Sequence, residues 1–161
     1  MSIFHSRLAE ALYDRSAARL TQLKQQFPNQ FPHHDVQYSW PVGWQHLVQR
    51  ACETLHRHHP ESRWVQIKEK FGGLRLYFEG GPMRADIHDR NGLISLPVWG
   101  EEPRHAADCY ALMALIETES QSTCGCCSAP GDLAKVAGYF ITLCTDCAQR
   151  HGAVFVRPQE E

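Results

Sequence analysis

Seven cysteines occur in this chain, and four of them have a spacing that can do chemistry. Cys124-Gly125-Cys126-Cys127 is followed by sixteen residues and then Cys144-Thr145-Asp146-Cys147. Each C-x2-C pair offers two thiolates from one tight turn, and two such turns supply the four soft ligands of a tetrahedral zinc. Reduced buried thiols and a redox pair are the competing readings, and the doubled spacing favours the metal over both. One Zn2+ held by Cys124, Cys127, Cys144 and Cys147 is therefore expected. A catalytic zinc keeps a position for water and usually takes His or a carboxylate. Four cysteines fill the sphere, so the ion is expected to be structural. Cys126 could replace Cys124 or Cys127, but the C-x2-C spacing favours the outer two. His151, four residues after Cys147, is the other conceivable ligand, and four thiolates leave it no vacancy.

Local elements must position those thiols. Ser128-Ala129-Pro130-Gly131 is turn chemistry after the first pair. Leu133 to Val136 and Tyr139 to Leu143 predict a short hairpin around Gly138. Thr145 or Asp146 opens a helix to about His151, with Cys147 in its first turn. Knuckle, hairpin and a helix carrying the second pair resemble the treble-clef zinc finger. Ala153 to Val156 predict a last short strand, and Glu160-Glu161 is a tail.

The rest of the chain must supply a body for this lobe. Its 161 residues suit one domain with a zinc lobe, long enough for a core that does not depend wholly on the metal. No apolar run reaches the length of a membrane span, and the N-terminus lacks a signal peptide's apolar stretch. An odd number of cysteines, four in zinc spacing, points to a reducing cytoplasm rather than a disulfide framework. The formal charge is −2. Four thiolates add −4 and the zinc +2, giving about −4 in the metallated protein. Nucleic-acid binders usually carry a basic excess, and this chain does not.

The apolar spacing predicts an α+β fold: helices packed on an antiparallel, hairpin-based sheet, with the zinc lobe at the C-terminus. Residues 1–121 form the body and 122–157 the lobe. Phe4, Leu8, Leu12, Leu20, Leu23 and Phe27 predict a helix over 3–27, with a polar weak point at Asp14 to Ser16. Residues 28–40 read as a linker, in which His33-His34-Asp35 is a solvated loop in preference to a metal site. Trp44, Leu47, Val48, Ala51, Cys52 and Leu55 form one apolar face of a helix over 41–58. Cys52 is thus a core residue rather than a nucleophile. His56, His58 and His59 sit at the helix end, where the dipole favours positive charge.

Residues 63–79 predict a β-hairpin turned at Gly72-Gly73. In that register Phe71 faces Leu74, Glu69 faces Leu76 and Ile67 faces Phe78. Val65, Ile67, Phe71, Leu74, Leu76 and Phe78 share an apolar face, interrupted by Glu69. Trp64, Lys68, Lys70, Arg75 and Tyr77 occupy the other, with Lys70 opposite Arg75. That pair is either solvated, balanced by an internal acid such as Glu69, or part of a binding surface formed by Lys68, Lys70, Arg75 and Tyr77. Residues 80–102 form a variable segment, where Asn91-Gly92 turns a second hairpin and His88 and Asp89 read as surface residues. A helix over 103–119 buries Cys109, Leu112, Met113 and Ile116, with Ala106 extending the stripe, and leads straight into the first cysteine pair.

From Val65 to Arg75 the chain reads VQIKEKFGGLR. There it resembles a group of small, functionally unassigned phage and bacterial proteins with a KEKFGGLR-like hairpin followed by two C-x2-C pairs. The helix with Trp44 and Cys52 and the turn Cys127-Ser128-Ala129-Pro130-Gly131 match the same pattern. The resemblance covers about residues 41 to 150 and implies no settled activity. The N-terminal helix with its linker and the length of the 80–103 region depart from it.

No catalytic residues are assigned. The H-x-E and P-C-x-x-C of zinc deaminases, G-x-S-x-G and the P-loop are all absent from the sequence. The interval Ser128 to Leu143 lacks the His and Asn of an HNH-type nuclease. The expected function is a non-enzymatic, zinc-stabilised protein-binding module, with neutralisation of a toxin, as immunity proteins and antitoxins do, as its specific form by analogy. The alternative is a nucleic-acid-binding accessory protein using Lys68, Lys70, Arg75 and the zinc lobe, with Trp64 and Tyr77 stacking on bases.

Overall fold

A computed structural model describes residues 3–81, 83–89, 92–98 and 106–157 of the chain. The architecture is α+β, with helices packed around antiparallel sheets. Asn91, Pro103 and the Glu160-Glu161 tail lie outside the described residues, as do the side chains of Phe4, His88, Asp89 and Ala106.

The N-terminal helical segment is two helices, α1 (Ile3–Tyr13) and α2 (Ser16–Gln26), rather than one. The break falls at Asp14-Arg15, where Arg15 adopts a left-handed φ of 53°, a conformation that ends helices. Leu8 and Leu12 of α1 and Leu20 and Leu23 of α2 are all buried across that break.

The segment 28–40 is anchored in the core by four of its side chains, while its middle, residues 32–36, is exposed. Phe31, Tyr38 and Trp40 are buried, and the rings of Phe31 and Tyr38 meet edge-on with centroids 5.1 Å apart. Gln30 is buried too, with both ends of its amide satisfied. Nε2 donates to the Cys52 carbonyl at 2.9 Å, and Oε1 accepts from the Trp64 indole at 3.0 Å. A buried amide so paired avoids the cost of an orphaned polar group. His33 and His34 are exposed, and Asp35 is paired with Lys24.

A 3-10 turn (Val42–Trp44) leads into α3 (Gln45–His58). Trp44, Leu47, Val48, Ala51, Cys52 and Leu55 are completely buried along one stripe. α4 (Ala106–Ser120) packs beside α3, with an Arg50–Glu119 ion pair at 2.6 Å across their outer edges. Its buried side chains are Cys109, Met113, Ile116, Glu117 and Ser120. Leu112 is exposed rather than buried.

β1 (Trp64–Lys70) and β2 (Gly73–Phe78) form the first hairpin, whose turn comes one residue earlier than a Gly72-Gly73 loop and so moves each cross-strand partner by two residues. Lys70 pairs with Gly73, Glu69 with Leu74, Lys68 with Arg75 and Ile67 with Leu76. The loop is Phe71-Gly72, with φ of 51° and 84°, as a type I′ turn requires. Tertiary contacts hold it there. The Gly72 carbonyl accepts from Thr142 Oγ1 at 2.8 Å, and a Cβ on Gly72 would meet Leu133 Cδ1 at 2.3 Å. The shift leaves Phe71 exposed at the tip. A bulge between Trp64 and Gln66 compensates at the other end, so Trp64 pairs with Phe78 in the core while Val65 turns out. The outer edge of β2 is satisfied by α4. The N–H of Leu74 donates to Ser120 Oγ and that of Leu76 to Glu117 Oε1, at 2.8 and 2.7 Å. A two-stranded ladder can thus be buried without orphaned donors.

β3 (Met83–Asp89) and β4 (Gly92–Val98) form the second hairpin, whose ladder closes on Asp89 and Gly92. Gly92 is therefore a strand residue, not a turn residue. The C-terminal part holds β5 (Asp132–Val136), β6 (Tyr139–Leu143), α5 (Thr145–His151) and β7 (Val154–Phe155), in sheet order β6-β5-β7. One hydrophobic cluster runs from Leu8 and Leu55 through Leu74 and Met113 to Ile141 and Ala148. Among the described residues no helix is long and apolar enough to cross a membrane.

Candidate metal centre

The first cysteine pair sits in a loop closed by its own backbone. The N–H of Cys124 donates to the Ala129 carbonyl at 2.7 Å, and that of Ser128 donates to the Cys124 carbonyl at 3.0 Å. Ser128 takes the left-handed φ of 69° that the tight return demands. Gly125 N–H ties the loop to β6 through the Thr142 carbonyl at 2.9 Å. The second pair straddles the start of α5. Cys144 is its N-cap residue, and its sulfur accepts the N–H of Cys147 at 3.4 Å.

These two turns bring the Sγ atoms of Cys124, Cys127, Cys144 and Cys147 within 4.8 Å of one another, with Cys127 and Cys144 3.6 Å apart. Metal–sulfur bonds of about 2.3 Å in a tetrahedron give sulfur–sulfur edges of about 3.8 Å. The four thiols are therefore close to the arrangement that holds a metal ion. Cys124 and Cys147 are buried, Cys144 is half-buried and Cys127 is exposed. Among the described residues this is the one convergent group of His, Cys and acidic side chains. His151 is buried but stands outside it, and His33-His34-Asp35 forms no such group.

Cys126 also lies outside the four. The proximity of its thiol to the Cys124 sulfur favours thiolate at Cys124 and raises Cys126. All seven cysteines are free. Burial pushes the Cys52 and Cys109 thiols well above their usual range, as for inert core residues.

Sequence spacing gave no sign of what the knuckle rests on. It is seated on the turn before α3. Gly43 N–H donates to the Gly125 carbonyl, and the Gly43 carbonyl accepts from Ser128 Oγ, both at 2.7 Å. A Cβ on Gly43 would lie 2.1 Å from the Cys124 carbonyl oxygen, so only glycine permits this approach. The one available hint was Gly43 itself, a glycine at the start of a strong helix.

The basic hairpin residues are arranged differently from the sequence expectation. Arg75 is buried, with Nη1 donating to the Leu74 carbonyl at 3.0 Å. It faces Lys68 rather than Lys70. The Lys68 ammonium lies over the Tyr77 ring at 5.4 Å, and the Lys70 ammonium over the Phe71 ring at 5.8 Å. Glu69, the acid on the apolar face, is held by Gly72 N–H and the Tyr139 hydroxyl, both at 2.7 Å. Comparison with protein-family models, curated proteins and solved structures found no match to this chain.

Proposed function

We propose that the four cysteines hold one structural zinc in a treble-clef-like lobe, and that the chain is a non-enzymatic protein-binding module. Four thiolates fill a tetrahedral sphere and leave no position for a reacting water, which supports a structural role for the ion. The observation that carries the binding role is the sheet edge at β7. Val154, Phe155 and Val156 are 71%, 36% and 42% exposed, consecutive, and at the edge of the β6-β5-β7 sheet. An exposed apolar edge strand is a template for pairing with another chain. The net charge of −2 suits a basic partner, such as a nuclease-like toxin that this protein neutralises. The nucleic-acid alternative draws less support, because Arg75 is buried and the Lys68 ammonium rests on Tyr77.

Affinity capture from the source cells, with the native chain and with Val154→Lys, tests this reading. A protein partner retained by the native chain and lost with Val154→Lys is the expected result. Salt-sensitive binding to random DNA or RNA, with no protein partner, would overturn it.

A further inference from the structure

Glu69 sits in a half-buried position on the apolar face of β1, opposite Leu74. It forms no ion pair among the described residues, where Lys24–Asp35 and Arg50–Glu119 are the salt bridges. Oε1 accepts from Gly72 N–H and Oε2 from the Tyr139 hydroxyl. The Tyr139 oxygen lies 3.2 Å from the Tyr13 hydroxyl of α1. A phenol carries one proton. With Glu69 ionised, Tyr139 gives its proton to the carboxylate, so Tyr13 donates to Tyr139. Every phenolic proton is then directed along the chain toward Glu69. What remains along this row is lone pairs, on a carboxylate and on Tyr13.

The same three side chains line a pocket of about 290 Å3, completed by Leu8, Ala9 and Leu12 of α1. One wall is hydrocarbon and the other accepts hydrogen bonds. Burial favours the neutral form of Glu69 and raises its pKa, despite the hydrogen bonds from Tyr139 and Gly72 and the charge of Arg75. A carboxylate with that environment gains from a cation delivered beside it. We propose that this pocket binds the cationic head of an aliphatic amine, with Glu69 as counter-ion, the Tyr13 oxygen as a further acceptor, and Leu8 and Leu12 against the alkyl body. The amine can be a free small molecule or a lysine side chain of another protein. The inference does not depend on β7 being a docking edge.

The test is titration of the full-length metallated protein with n-butylammonium, following the Gly72 amide by 1H–15N NMR, since its N–H is bonded to Glu69. n-Butanol and butyrate carry a similar alkyl body without the cation. A saturable shift with n-butylammonium, about tenfold or more tighter than with n-butanol, is expected. Glu69→Gln keeps the side-chain shape and can reverse the hydrogen-bond chain, so it should fold and lose that preference. Tyr13→Phe should weaken the amine less than Glu69→Gln does. A peptide bearing one lysine separates the sources. Binding tighter than that of n-butylammonium at the same amide assigns the pocket to a partner's side chain, and equal or weaker binding assigns it to a free amine. Equal binding of n-butanol and n-butylammonium, full retention of the preference in a folded Glu69→Gln, or no saturable shift would each overturn the proposal.

Discussion

The buried indole N–H of Trp44 donates to the carbonyl of Thr123 at 2.8 Å, one residue before the first cysteine of the candidate metal centre. Residues 79 positions apart in sequence are joined there, between the turn that opens α3 and the loop that carries the thiols. Trp44→Phe keeps most of the ring volume and orphans that carbonyl. An unsatisfied buried acceptor costs about 1–3 kcal/mol. A lower denaturation midpoint is expected, together with faster loss of metal to a chelator. Unchanged chelation kinetics would separate the hydrogen bond from the metal centre.

Elemental analysis of protein purified without chelator should find one zinc per chain. Cys144→Ser should lose it, because Cys144 supplies both a sulfur of the cluster and the N-cap of α5. Cys126→Ser should keep it, because Cys126 is not one of the four. Loss of metal from Cys126→Ser with retention in Cys144→Ser would reassign the ligands.

Glycine is required at 72 more than at 73. Gly72 has a φ of 84° and Leu133 against the place where a Cβ would stand. Gly72→Val should destabilise the protein by roughly 1–3 kcal/mol. At Gly73 the nearest atom to a Cβ is Arg75 Nη1, the end of a flexible side chain, at 3.1 Å. Gly73→Ala should therefore cost less than Gly72→Ala. Phe71→Gly relieves a left-handed φ of 51° and should stabilise by about 1 kcal/mol. Equal melting temperatures for the two alanine variants would contradict the Phe71-Gly72 loop.

The Glu69 carboxyl links stability to pH. Its folded pKa lies above the unfolded value, chiefly through burial. The folded state then holds the proton more tightly over the interval between the two values. Its contribution to stability is full below the ordinary carboxylate pKa and is lost as pH rises through the folded pKa. Glu69→Gln should flatten the dependence of the urea midpoint on pH over that interval. The groups that act on the Glu69 carboxyl are the Tyr139 hydroxyl, the Gly72 N–H and the charge of Arg75, each of which opposes the effect of burial. A slope unchanged in Glu69→Gln would place the titration elsewhere.

Chelation should expose the amides of residues 120–157 to exchange, and also those of Val42 to Trp44, since Gly43 is bonded to Gly125 and Ser128. Protection over Leu47 to Leu55 should persist, because α3 packs on α2 and α4 as well. Complete loss of protection in α3 would show that the body has no stability of its own.

Local pattern determined much of this molecule. The four cysteines and their two turns, the stripe of α3 and the existence of the hairpins are all set within a few neighbouring residues, by ligand spacing and by side-chain period. Tertiary contacts decided the rest. Periodicity could not choose between Gly72-Gly73 and Phe71-Gly72 as the loop, because both offer a glycine. The choice falls to Thr142 and Leu133, which pack on Gly72 from 61 or more residues away. Residues 28–40 looked like a linker because Gln30, Phe31, Tyr38 and Trp40 share no period. Gln30 and Tyr38 are held inside by Cys52 and Trp64, distant hydrogen-bond partners. Alternation put Arg75 on the polar face and left open whether it is solvated, balanced by an acid or part of a binding surface, and α4, which covers that strand, buries it. Sequence spacing records the angle between neighbours along one chain. The distance between segments is fixed only when their side chains compete for the same interior space.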